Sequence, residues 1–103
     1  LNAQTGTTYT FVLTDSNNTL VTASNASAQT YTIPPNSSVA YPIGAQINII
    51  QIGAGQVSFA QGSGVTIAST GASSSAPKLR VQYSSASAIK VGTDSWYVVG
   101  DIV

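Results

Sequence analysis

The chain has 103 residues, with no cysteine, no histidine and no methionine, and three acidic side chains balance three basic ones to a net charge of zero. That length bounds it to one domain with a modest core, and 43 % apolar residues in a regular pattern argue against disorder. So few Lys and Arg exclude a phosphate-tracking surface and hence a nucleic-acid role. No run approaches the ~20 apolar residues of a membrane span, and the N-terminus does not read as a signal peptide.

Polarity is carried by hydroxyls and amides: 27 residues are Ser or Thr. Charged residues make up 6 %, against about a quarter in an average soluble domain. This surface reads as one exposed outside a cell or particle. The lack of an initiating Met reads as a fragment of a longer polypeptide, with residues 1–103 as a single domain.

Period-2 alternation runs through nearly the whole chain, and no stretch sustains a 3.6 period. Residues 8–13 alternate Tyr9, Phe11 and Leu13 with Thr8, Thr10 and Val12. Asp15-Ser16-Asn17-Asn18 reads as a turn into a returning strand over 19–23. Residues 29–33 form the next strand, which Pro34-Pro35-Asn36 ends. A connection over 34–45 follows, with Pro42 and Gly44. Residues 46–52 are the strongest strand, and its parity switches between Ile47/Ile49 and Ile50/Ile52, predicting a bulge or burial on both faces. Gly53-Ala54-Gly55 and Gln61-Gly62-Ser63-Gly64 read as tight hairpins into strands 56–60 and 65–68. Ser69 to Pro77 reads as a flexible loop. Strands are predicted at 79–83, 88–91 and 96–99, with turns at 84–87 and 92–95. About nine short strands with tight turns predict an all-β antiparallel sandwich, jelly-roll-like in its connections.

The closing run Trp96-Tyr97-Val98-Val99 is apolar on both parities. One face faces the core, and the other predicts cover by a further sheet or a second subunit. Tyr97 and Val99 are therefore candidate oligomer-interface residues.

Chemistry is thin. Without His, Cys or Glu there is no common general base, no thiol nucleophile and no zinc-type ligand set. Asp15, Asp94 and Asp101 each read as turn residues rather than as a paired acid and base. The chain is expected to be no enzyme and to hold no metal or cofactor. Sugar recognition needs aromatic faces with short polar partners. Tyr41 and Trp96 are the candidates, with Asp94, Asn48 or Gln51 beside them. For each aromatic alone, core packing is the competing assignment.

The string from Tyr31 through Ile33-Pro34-Pro35-Asn36 to Tyr41-Pro42-Ile43-Gly44 and Ile47-Asn48-Ile49 resembles a module at the C-terminal end of bacteriophage tail-fibre and other virion appendage proteins. The likeness continues through Gly53-Ala54-Gly55-Gln56-Val57 and Gly64-Val65-Thr66-Ile67. It closes on Trp96-Tyr97-Val98-Val99-Gly100-Asp101-Ile102. The resemblance implies a β-sandwich at the tip of a trimeric fibre on the virion, often engaged in host attachment, with no catalytic residues to carry over. It leaves two functions open: binding of a host-surface glycan or envelope receptor, or a purely structural role in trimerisation, capping or capsid decoration.

Overall fold

The computed structural model describes all 103 residues, and nearly all regular structure is strand. Nine strands form: β1 (Asn2–Gln4), β2 (Thr8–Thr10), β3 (Leu20–Ala23), β4 (Gln29–Ile33), β5 (Gln46–Gln51), β6 (Val57–Gln61), β7 (Thr66–Ser69), β8 (Ser85–Gly92) and β9 (Ser95–Gly100). One 3-10 turn spans Leu13–Asp15. A six-stranded sheet has the order β1-β3-β5-β8-β9-β7, and a three-stranded sheet the order β2-β4-β6.

The all-β expectation holds, but the antiparallel one does not extend across the molecule. Of the seven strand pairings, only β5 with β8 and β8 with β9 are antiparallel; the other five are parallel. From β1 to β7 the chain alternates between the two sheets, and from β3 to β6 each strand pairs in parallel with the one two places earlier. The first six strands thus wind as a short flattened coil. Parallel neighbours require a crossover, and the opposite sheet provides it. The β8–β9 hairpin then inserts between β5 and β7.

This winding corrects the turn assignments. Gly53 to Gly55 and Gln61 to Gly64 are not hairpins, because the strands they join lie in different sheets. They are corners of the coil, and corners one full turn apart stack closely. A Cβ added at Gly55 would fall 1.8 Å from the Ser27 carbonyl oxygen, and one at Gly53 2.5 Å from the Asn25 nitrogen. Glycine is required there by contact. Residues 79–83 do not form the predicted strand. Their backbone N–H groups are spent elsewhere: Arg80 donates to the Asp101 carbonyl and Val81 to Ser84 Oγ. Residues 85–87, predicted as turn, instead open β8, and β1 was not foreseen.

One apolar core lies between the sheets. In the three-stranded sheet Tyr9, Tyr31 and Phe59 stand in register on adjacent strands. Their rings and that of Phe11 contact one another at centroid separations of 5.6 to 6.4 Å. In the other sheet Ile47, Ala88 and Val98 share one row, and Ile67, Trp96 and Lys90 another. The parity switch foreseen in β5 is absent. Ile47, Ile49 and Gln51 all face inward, while Ile50 lies on the outer side. Gln51 fits the core because its amide oxygen accepts the Val57 N–H and its amide nitrogen donates to the Gly53 carbonyl.

Candidate functional site

The residues predicted to meet a sugar are not brought together. Tyr41 is 3 % exposed and Trp96 1 %. Their rings pack edge to face at 5.3 Å inside the core, and the Tyr41 hydroxyl donates to the Val12 carbonyl. Neither ring offers a face to solvent, so the stacking role assigned to them is corrected to core packing. Tyr41 was placed outside because it lies in a proline-flanked connection, but that connection folds across the end of the core. Asn48 lies on the outer side of β5, where its Oδ1 accepts from Ser87 Oγ at 2.6 Å. Asp94 sits in the β8–β9 turn and accepts the Asn36 N–H at 2.8 Å.

The other prediction concerned the outer face of the six-stranded sheet. Trp96 and Val98 point inward, whereas Tyr97 and Val99 are 51 % and 50 % exposed. The register places Ile89 beside Tyr97, with Ala68 on its other side. Ser87 and Asn48 continue the Val99 row to Leu20. Ile50 and Thr22 lie in the next row. No outward side chain of these strands is charged. The face is uncharged and carries apolar, hydroxyl and amide side chains, and Tyr97 and Val99 stand half exposed on it.

Two buried charges were not foreseen. Asp15 was read as a turn residue, yet it is buried and accepts three hydrogen bonds: from Asn2 Nδ2 at 2.7 Å, the Tyr9 hydroxyl at 2.7 Å and the Val12 N–H at 2.9 Å. It fastens β1 and β2 to the corner between β2 and β3. Burial, and then the bond to Asp15, push the Tyr9 phenol up to about 12, and burial alone does the same to Tyr31. Burial also raises Tyr41. Lys90 follows Ala86 and Ala88 on the inward parity of β8. That parity is present in the sequence, but the turn assigned to 84–87 cut it short. Its Nζ donates to Asn36 Oδ1 and to the Tyr41 carbonyl. Asp101, by contrast, lies on the surface, where the Arg80 guanidinium and Ser84 hold its carboxyl below the usual range.

The single pocket, about 490 Å³, is open and lies where the 70–78 segment meets the C-terminus. Gln56, Ala72, Ser73, Ala76, Lys78 and Val103 line it. It contains none of the predicted site residues. No group of three acidic, His or Cys side chains is placed to hold a metal ion. No family model, no curated protein and no solved structure matches this chain.

Proposed function

We propose that this chain is a non-enzymatic structural module of a bacteriophage virion appendage, and that it self-associates through the outer face of its six-stranded sheet. The observation that carries the association is the uncovered, uncharged surface around Tyr97, Val99 and Ile89. Large exposed apolar patches mark contact surfaces, and a face without charge sets no electrostatic barrier between identical copies. A closed ring would cover the face without leaving an open end for polymerisation. The appendage setting and the number three come from the resemblance to tail-fibre modules. Sedimentation at micromolar concentration is expected to show a trimer. The double variant Tyr97→Lys, Val99→Lys should be a folded monomer, because both side chains are half exposed in the isolated chain. A native monomer, both alone and in a longer polypeptide carrying the preceding fibre region, would overturn the proposal.

Host-glycan binding is the second reading. With Tyr41 and Trp96 in the core, it rests on the pocket at Gln56, Ser73 and Lys78, whose hydrogen-bonding groups suit a hydroxylated ligand. Retention on host polysaccharide, weakened by Ser73→Trp at the pocket wall, is the expected result. No retention of the native chain on host envelope or on polysaccharide would remove this reading and leave the structural one.

A further inference from the structure

Lys90 is 2 % exposed, and no carboxylate lies within 4.0 Å of its nitrogen. Its acceptors are the Asn36 side-chain oxygen at 2.5 Å and the Tyr41 carbonyl at 2.7 Å. An ammonium taken out of water without a counter-ion is costly, and neutral acceptors offset only part of that cost. The core places this amine against one particular carboxamide. A C=O bond measures about 1.23 Å, so Asn36 Cγ lies no more than about 3.7 Å from Lys90 Nζ. That separation approaches the distance at which positioned reactants behave as one molecule.

Both partners are held from several sides. The Lys90 carbonyl accepts the Gly44 N–H, and its own N–H donates to the Ala45 carbonyl. The Asn36 N–H donates to Asp94 Oδ1, and Pro34 and Pro35 stiffen the approach to it. Asn36 Nδ2 makes no hydrogen bond within the chain, and no sealed side-chain nitrogen lacks a partner. The amide nitrogen therefore reaches solvent, which leaves a departing group an exit.

We propose that Lys90 and Asn36 condense into an intramolecular isopeptide bond. Lys90 Nζ first gives one proton to water at the open Asn36 amide and so gains a lone pair; it then attacks Asn36 Cγ, the new Nζ–Cγ bond forms and the Cγ–Nδ2 bond breaks. The two protons that Nζ gives up leave on the departing nitrogen, so an ammonium and a primary amide become a secondary amide and an ammonium ion. No oxidant, metal or cofactor enters the balance. The product removes the buried charge and ties β8 to the connection after β4, across a sequence separation of 54 residues. A chain with no cysteine would thereby gain a covalent staple of the kind that disulfides give small extracellular domains.

Mass spectrometry of the purified, folded chain tests this directly. The expected mass is lower than the sequence mass by one ammonia. Trypsin has only Lys78, Arg80 and Lys90 to cut after, and an acylated Lys90 resists it. Residues 1–78 and 81–103 should then emerge joined as one branched product. Asn36→Ala should restore the sequence mass and cleavage after Lys90, and Lys90→Met should restore the sequence mass with 1–78 released. A folded native chain at its sequence mass would overturn the proposal. So would a loss of ammonia with 1–78 released free, which would assign the loss to a succinimide at Asn36-Ser37.

Discussion

At the scale of single residues, the polar groups inside this molecule matter more than their number suggests. Asp15 accepts from three donors, and of these only Asn2 Nδ2 has a second acceptor, the Tyr9 hydroxyl. Removing the acceptor leaves the part-buried Tyr9 hydroxyl and Val12 N–H unpaired, at about 1–3 kcal/mol apiece. Asp15→Ala is expected to lower unfolding free energy by about 3 kcal/mol, read from urea titration, and Asp15→Asn by less because one oxygen remains. A loss below about 1 kcal/mol would mean that water replaces the carboxylate. Lys90 and Asp15 lie at opposite ends of one residue: Tyr41 gives its carbonyl to Lys90, and its hydroxyl goes to Val12, which itself donates to Asp15. The tyrosine chosen from the sequence as a sugar platform is the piece that joins these two anchors.

At the scale of elements, stability depends on how corners stack rather than on how hairpins turn. The corners at Gly53 to Gly55 and at Gly62 rest on those one full turn earlier, at Asn25 to Ser27 and Ile33 to Pro35, and the Gly55 corner leaves no room for a methyl group over Ser27. Overpacking in a rigid site costs about 1–3 kcal/mol, and here the obstacle is backbone. Gly55→Ala is expected at or above the top of that range, measured by thermal unfolding. Gly64→Ala has open space around it and meets only the strain of φ +75°, so it should cost about 1 kcal/mol. Equal losses at the two sites would contradict stacked corners. The element that sequence patterning served best is β9. Its run is apolar on both parities, and the expectation of a second face at Tyr97 and Val99 holds, with Trp96 and Val98 inward and Tyr97 and Val99 outward.

At the scale of the whole molecule, two kinds of titration set the pH range. Tyr9 and Tyr31 hold their protons up to about 12, against the ordinary value of 10.0. Above pH 10 the unfolded chain loses phenolic protons that the folded chain keeps. Stability from these groups is full below pH 10 and falls as pH rises towards 12. Tyr9→Phe should flatten that alkaline decline in denaturant titrations across this window. An unchanged slope would mean that the phenol is not held by Asp15. Acid acts the other way on Asp101: its lowered carboxyl favours the fold at neutral pH, and this contribution disappears as pH falls through the lowered value. Both groups lie on the surface, so the effect at this site should be small and salt-dependent.

The all-β character of this chain and the places of eight of its nine strands were legible in its sequence. Those properties follow from a period of two, which is local and the same for every kind of sheet. It could not determine strand direction or partner, because a short glycine-rich link serves equally as a hairpin and as a corner between sheets. Only the tertiary structure decided that β1 to β6 wind in parallel and that β8 and β9 enter between β5 and β7. The candidate site followed the same division. An outer apolar face at Tyr97 and Val99 was legible because both parities of one strand are apolar and a single core covers only one. The burial of Tyr41 and Trp96, and the meeting of Lys90 with Asn36, depend on the connection over residues 34–45 closing the end of the core. Side chains 54 positions apart in the chain become neighbours only when that segment packs, and no local pattern encodes such a contact.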